Sequence, residues 1–474
     1  VSKKPNKEPI QSLKGFHDIL PADVPYYDRV GKEVRRVSEY YGFQTIRLPH
    51  VENAELFTRT LGETSDIVEK QMYNFRTRGG SSVVLRPEGT ASMVRAYVEH
   101  GMQSLPQPVS LFYEGSFFRH ENPQAGRLRE FRQAGIEVLG EKDPIHDTLI
   151  IRVLLSALDA LGIRDVQVSL NSIGDKASRP HYIKELTAYY RKNIGDLCKD
   201  CKRRLKENPM RVLDCKDANC VLLKTHAPQS MNYLSEESKK HFSQVLEHFD
   251  EIGISYEIDP WLVRGLDYYN DTVFELFVPA HRADDNVKEV SAMVATASDE
   301  EADKDKGVAV EKPATTEHEE DVGGVEEGGM LALGGGGRYD MLASMLFGKT
   351  VFGAGGALGI DRVVGEIKRR NLKIRPDVIP KVFLIQIGPT AKRKILRITE
   401  DLRKVGIPFA HALGKDALKR QLSIADKMKV PYALIIGQKE AIEERAILRS
   451  METGTQEHVA FEKIPTVLKL KLKA

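Results

Sequence analysis

Five arginines sit in two short stretches, FRHENPQAGRLREFRQAGIE (118–137) and RGLDYYNDTVFE (264–275), beside several carboxylates and the adjacent pair Tyr268 and Tyr269. A planar guanidinium offers paired donors that match phosphate oxygens and stays charged at any working pH. The set therefore suits a polyphosphate and a small polar ligand. In a strand, side chains two apart share a face, so Arg127, Arg129, Phe131, Gln133, Gly135 and Glu137 point one way and Ala134, Ile136 and Val138 the other. The apolar set belongs to a core, and the opposite set floors a cleft in which the missing side chain of Gly135 leaves room for a ligand. Arg119 and Glu121 repeat the pattern on a strand entering a turn at 122–126, which completes a hairpin. A solvated, salt-bridged surface hairpin is the plainer reading, and the even-numbered apolar register argues against it.

The elements that must position these residues follow from hydrophobic periods. Val30, Val34, Val37 and Tyr41 share one helix face, which Gly42 ends before a strand over 43–48 stopped by Pro49. Past Pro106 and Pro108 comes the hairpin, then an apolar helix over 148–161 and a strand over 166–170. A polar, helical stretch over 172–252 interrupts the sheet before an RGLDYY strand. Residues 282–330 carry EEADKDK and EHEED with few aromatics, the composition of a disordered loop; an acidic regulatory element is the alternative. Beyond Pro376 and Pro380, strands over 382–387, 409–412 and 432–436 alternate with helices over 391–405 and 416–428, predicting an α/β unit with a parallel sheet. Gly388 is followed by Pro389 and Thr390 without GxGxxG, so that unit is not a dinucleotide site. The domains read as 11–171 and 253–372, interrupted by 172–252, with 380–474 separate.

Composition fits this plan. At 474 residues, two or three domains are expected, and a net charge of +2 means that any nucleic acid must be held by local basic patches. No signal peptide or membrane-length apolar run is visible, so a cytoplasmic location is expected. Cys198, Cys201, Cys215 and Cys220, all the cysteines of the chain, form C-x2-C-x13-C-x4-C. Four thiolates so spaced can close a tetrahedron around a structural zinc, and a helical insertion can equally carry buried free cysteines; both readings stand. GxxxxGK[ST], HExxH and GxSxG are absent.

The ordered motifs resemble those of the bacterial-type histidyl-tRNA synthetases, a class II aminoacyl-tRNA synthetase family. KGFHDILP (14–21) resembles the family's opening, GFQTIRLPHVE (42–52) its motif 1 and LRPEGTASMVRAY (85–97) its ammonium-binding segment. The hairpin at 118–137 resembles motif 2, RGLDYY and GGGGRYD (334–340) the two histidine signatures, and GGALGIDRVV (355–364) motif 3. The resemblance implies a mixed α/β fold: an antiparallel-sheet catalytic domain with a helical insertion, followed by an α/β anticodon-binding domain. It implies activation of L-histidine by ATP with Mg²⁺, transfer to the 3′ end of tRNA(His), and a homodimer packed through the Pro49 region. Arg119 and Arg264 would grip the α-phosphate, Arg127 and Arg362 the far end of the triphosphate, Glu121 the adenine amino group and Phe131 its ring. Glu88, Thr90 and Gln133 would take the ammonium and carboxylate, with Arg264 beside them, and Glu137, Tyr268, Tyr269 and Tyr339 would enclose the imidazole. Gln124 would meet the tRNA acceptor end, and Lys415, Lys419 and Arg420 would contact phosphates elsewhere on the tRNA. No membrane or DNA is implied as a partner. A catalytically dead, histidine-sensing regulatory paralogue and a synthetase-like tRNA-binding module of a kinase are the rivals. Arg119, Arg264 and Arg362 argue against both, since a sensor has no need to grip a triphosphate.

Overall fold

The computed structural model describes residues 10–61, 67–121, 128–279, 329–374, 379–413 and 417–472. Gln124, Arg127, Lys415 and all but the last two residues of the acidic segment 282–330 lie outside them. The chain divides into two compact units between residues 374 and 375.

The first unit contains strands β1 (Gln44–Thr45), β2 (Val51–Asn53), β3 (Tyr73–Arg76), β4 (Ser82–Leu85), β5 (Val109–Phe118), β6 (Glu130–Leu139), β7 (Gln167–Ser172), β8 (Tyr256–Ile258), β9 (Asn270–Pro279), β10 (Met330–Arg338) and β11 (Gly353–Gly359). Eight of them form one sheet in the order β1-β5-β6-β11-β10-β9-β7-β8, and β2, β4 and β3 form a smaller one. Every pairing from β5 to β7 is antiparallel, with a parallel strand at each edge.

One sheet face is covered by helices Val24–Tyr40, Ile145–Ala160, Glu236–Ile252 and Ile360–Arg369. Ala134, Ile136 and Val138 enter this core, as the strand period predicts, with Val30, Val34 and Val37 opposite. Full burial of each Ile or Val contributes about 1.5–3 kcal/mol. Pro25 presets the first turn of the Val24–Tyr40 helix, and Gly42, at φ 84°, turns the chain out of it. Tyr41 falls past the last turn and stays outside the core. The strand expected over 43–48 shrinks to Gln44–Thr45, which alone pair in register with Leu111 and Phe112.

The other face carries the site and a second core that runs on into the helices of residues 179–224. The helical stretch expected over 172–252 is thus split between both faces, because Phe242, Val245 and Phe249 of its last helix belong to the first core. Residues 264–269 do not form the expected strand: they run as bends and turns, and β9 starts at Asn270. Asp271 takes φ 48° and accepts the Ser238 hydroxyl, so the backbone is kinked where a continuous ladder would need it extended.

Behind β10 lies a buried ion network. Arg338 pairs with Asp147 on the Ile145–Ala160 helix and with Asp340 at 3.2 Å, and Asp340 accepts the Gly353 N–H at 3.0 Å. Burial works against the Asp147 carboxylate, yet Arg338 and then His241 hold it down at about 2. This network clamps both residues flanking Tyr339.

The second unit is a five-stranded sheet, β13-β12-β14-β15-β16, built from β12 (Val382–Gln386), β13 (Phe409–His411), β14 (Tyr432–Ile436), β15 (Arg445–Ser450) and β16 (Gln456–Ala460). The first three are parallel, as expected, whereas β15 and β16 add an antiparallel hairpin turned at Gly454, with φ 72°. Its short alternation of arginines with Ala446, Ile447 and Leu448 is a weak signal in the sequence. Lys419 and Arg420 are exposed on the helix Leu418–Lys427.

Replacing Arg338 with Met should cost roughly 3–5 kcal/mol of stability, because Asp147 stays buried without its main counter-charge. Urea unfolding of both proteins measures this, and a loss below about 1 kcal/mol would contradict the clamp.

Candidate active site

The site is assembled on a sheet stripped of side chains. Glu137 of β6 lies opposite Gly355 of β11, and a Cβ at Gly355 would stand 1.5 Å from Glu137 Oε2. A Cβ at Gly353 would meet the Tyr339 ring at 2.4 Å, and one at Gly335 would meet an Arg264 Nη at 2.8 Å. The glycines of β10 and β11 thus let three large polar side chains lie flat on the strands. The room expected beside Gly135 is already filled, because its Cβ position is 2.4 Å from the Tyr113 ring. Gly89 abuts the same ring, at 2.5 Å.

Two carboxylates are buried here. Glu88 accepts the backbone N–H groups of Thr90 (2.6 Å) and Ala91 (2.9 Å) at the start of the helix Thr90–Glu99, and the Tyr268 hydroxyl at 3.2 Å. Burial pushes its pKa up, and the two N–H groups pull the other way. Glu137 accepts Thr90 Oγ1 on one oxygen (2.9 Å) and the Tyr339 hydroxyl on the other (2.6 Å). Burial outweighs those hydrogen bonds, and the nearby Glu88 charge adds to it, so Glu137 is pushed up to about 8. Glu137 therefore keeps its proton to a higher pH than a solvated carboxyl group does.

Around the carboxylates the tyrosines form a wall. The Tyr268 and Tyr269 rings are 4.8 Å apart, and Tyr268 meets Tyr339 edge-on at 6.0 Å. Adjacent residues of an extended strand would face opposite sides. Tyr268 and Tyr269 are both buried in one cluster, because the segment bends instead of extending.

The arginines are fixed by local partners. Arg264 pairs with Glu275 of β9, while its buried Nε has no hydrogen-bond partner among the described residues. Arg119 lies just beyond the end of β5, where its Nε donates to Pro87 O (2.9 Å) and its guanidinium covers the Phe131 ring at 5.2 Å. Its charge also lowers the pKa of Glu88, opposing part of the effect of burial. Gln133 is half-buried on β6. Glu121 follows Arg119 and accepts Arg129 Nε through its backbone carbonyl at 3.2 Å. Arg362 opens the helix after β11 and donates to Ala332 O at 2.8 Å.

Sequence reasoning missed Tyr113 and Arg86. Tyr113 shares the site face of β5 through its pairing with Gly135, and strand parity could have found it. Arg86 is buried with its guanidinium over the Phe117 ring at 4.4 Å, and it donates to Leu48 O and Ser116 O. It joins the segment at Pro49 to β5. Only the three-dimensional packing reveals that role.

The four cysteines cluster within the helical stretch. Their sulfurs all lie within 4.8 Å of one another, with Cys198 Sγ and Cys215 Sγ 3.8 Å apart.

A six-stranded antiparallel array with the buried Glu137 and an arginine over one face and a second buried carboxylate, Glu88, near it is the architecture of a class II aminoacyl-tRNA synthetase. The sequence profile described as Histidyl-tRNA synthetase matches residues 15–284, and that described as Anticodon binding domain matches residues 381–471. A histidine–tRNA ligase of Caldicellulosiruptor bescii is 37% identical over 465 residues, covering 98% of this chain and 99% of the relative. The crystal structure of the apo S. aureus histidyl-tRNA synthetase superposes with a TM-score of 0.72 at 29% identity, covering 97% of this chain and all of that one. A Bacillus halodurans structure described as an ATP phosphoribosyltransferase regulatory subunit/histidyl-tRNA synthetase shares the fold at a TM-score of 0.55 and 18% identity, over 92% of this chain and 99% of that one. The chain belongs to the histidyl-tRNA synthetase family.

Because the folded environment raises the Glu137 pKa well above its ordinary 4.5, the native state holds a proton that the unfolded chain releases. The stability this confers is whole below about pH 4.5 and is lost progressively as pH rises through about 8, by at most ~1.4 kcal/mol per pH unit. Glu137→Gln should remove this component. The Tm of the wild type should fall relative to that of the variant between pH 5 and 8 and level off above. Parallel Tm curves would place the Glu137 pKa near its ordinary value.

Proposed function

We propose that this chain is a histidine–tRNA ligase that couples L-histidine to ATP, forming histidyl-adenylate and releasing diphosphate, then transfers histidyl to the 3′ end of tRNA(His) and releases AMP. The observation that carries this reading is the buried Glu137, held between Thr90 and Tyr339 on the same sheet face as Arg264, whose Nε has no partner among the described residues. An imidazole presents one donor and one acceptor. A carboxyl group sharing its proton with one ring nitrogen, opposite a phenol for the other, satisfies both and leaves a ring without nitrogens facing unpaired groups.

In this mechanism the carboxylate of histidine attacks the α-phosphorus, and negative charge gathers on the phosphoryl oxygens as diphosphate departs. Arg264 and Arg119 meet that charge, which makes their attraction stronger in the transition state than in the ground state. Glu88 takes the ammonium group of histidine, with Thr90 and Gln133 beside it. Phe131 stacks on the adenine, Glu121 reads its amino group, and Arg127 and Arg362 hold the outer phosphates, whose charge Mg²⁺ would partly neutralise. Gln124 meets the acceptor end, and the second unit, with Lys415, Lys419 and Arg420, binds the anticodon arm. The working protein is a cytoplasmic homodimer joined through the Pro49 region. No helix among the described residues is long and apolar enough to cross a membrane. Cys198, Cys201, Cys215 and Cys220 hold a structural zinc that takes no part in the chemical step.

Arg264→Ala should slow histidine-dependent ATP–pyrophosphate exchange on the order of a hundredfold or more, the ~3 kcal/mol typical of losing one preorganised donor. Histidine affinity, read by titration calorimetry, should change far less. An unaltered exchange rate would remove Arg264 from the reaction.

A further inference from the structure

We infer that the four-cysteine site is a brace for the catalytic loop: a bound zinc ion fixes the segment Asn208–Arg211, which in turn holds residues 264–269 in the shape that presents Arg264, Tyr268 and Tyr269. The inference rests on the ligase reading for the importance of that loop, and on the residues described here for the brace.

The donor set fits the ion. A tetrahedron with metal–sulfur bonds of about 2.3 Å has edges of about 3.8 Å, and the Cys198 and Cys215 sulfurs are separated by 3.8 Å. The cysteines are unpaired in disulfides, and backbone N–H groups already point at three of the sulfurs. Cys201 N donates to Cys198 Sγ (3.4 Å), Cys198 N to Cys220 Sγ (3.3 Å) and Asp217 N to Cys215 Sγ (3.5 Å). Four thiolates on one divalent ion leave a net charge of −2, and the intervening sequence supplies Lys202, Arg203, Arg204 and Lys216 to balance it.

The link to the active site is local. Cys201, on the helix Lys199–Glu207, and Cys215 bracket a segment that contains the single turn Pro209–Val212. Asn208 Nδ2 donates to Asp267 Oδ1 at 2.8 Å and Arg211 Nη1 to Arg264 O at 3.5 Å. Arg179 bridges the two segments, donating to Tyr269 O at 2.7 Å with its other Nη 3.7 Å from Met210 Sδ. Cys201, Cys220, Met210, Val212, Tyr268 and Tyr269 belong to one continuous core. Residues 264–269 have no strand ladder of their own, so these contacts supply the partners that a strand would have found in its neighbours. A metal that closes the 201–215 segment lowers the freedom of the residues making them.

The test uses the full chain purified under reducing conditions. Elemental analysis should find one zinc ion per chain, and the double variant Cys201→Ser, Cys220→Ser should lack it. Hydrogen–deuterium exchange without substrates should then accelerate in peptides covering 264–269 as well as in 198–220, and histidine-dependent ATP–pyrophosphate exchange should slow roughly ten- to a hundredfold, the penalty for a misplaced catalytic group. Asn208→Ala, which spares the thiols, should keep the zinc and still loosen 264–269, so the proposal stays open to refutation if the double variant does not fold. Metal-free protein with four free thiols that takes up no added Zn²⁺ would overturn the site. Protection of 264–269 that survives both zinc removal and Asn208→Ala would overturn the brace. Metal content and hydrogen exchange need no histidine, ATP or tRNA, so they stand or fall separately from the ligase reading.

Discussion

Burial of the Glu137 carboxyl group constrains everything built around it. A carboxylate removed from water needs hydrogen-bond partners or a proton, and Glu137 has Thr90 on one oxygen and Tyr339 on the other. Its place on the sheet exists because β11 offers a glycine at residue 355, where any Cβ would overlap the carboxyl oxygen. Tyr339 reaches it because Arg338 and Asp340 on either side are locked into the ion network beneath. Thr90 reaches it because Glu88 caps the helix on which Thr90 sits. The family's glycine-rich signatures thus have a physical meaning here: they lower the strand surface so that polar side chains can lie on it without exposure.

The second constraint comes from the irregular backbone at 264–269. Loops position catalytic groups well only when something rigid holds them. Here the support comes from the helical stretch that interrupts the sheet in sequence, through Asn208, Arg211 and Arg179. A segment that looks like an accessory in the sequence is, on this geometry, part of the floor on which Arg264 and the two tyrosines rest.

What the sequence made legible was whatever depends on short periods. The strand parity of 131–138 separated Ala134, Ile136 and Val138 from Glu137 correctly, and the helix at Val30, Val34 and Val37 followed from its spacing. What it concealed depends on distant partners. The ring of Tyr113 takes the space beside Gly135, and no pattern near residue 135 announces it. The bend at 264–269 leads into Asp271, which takes φ 48° and accepts the hydroxyl of Ser238, 33 positions away. The β15–β16 hairpin was hidden because a half-exposed strand of six residues carries too few apolar positions to stand out.

In the proposed ligase, the buried carboxyl and its tyrosines read the two nitrogens of an imidazole. The most direct measurement compares kcat/KM for ATP–pyrophosphate exchange with histidine and with a thienyl analogue of nearly the same shape that lacks both ring nitrogens. A site built to hydrogen-bond its substrate rejects such an analogue by on the order of 10⁴-fold, and that is the result expected for the wild-type chain. Discrimination of about tenfold, the scale of a purely apolar pocket, would mean that Glu137 is a strut of the sheet and that specificity lies elsewhere.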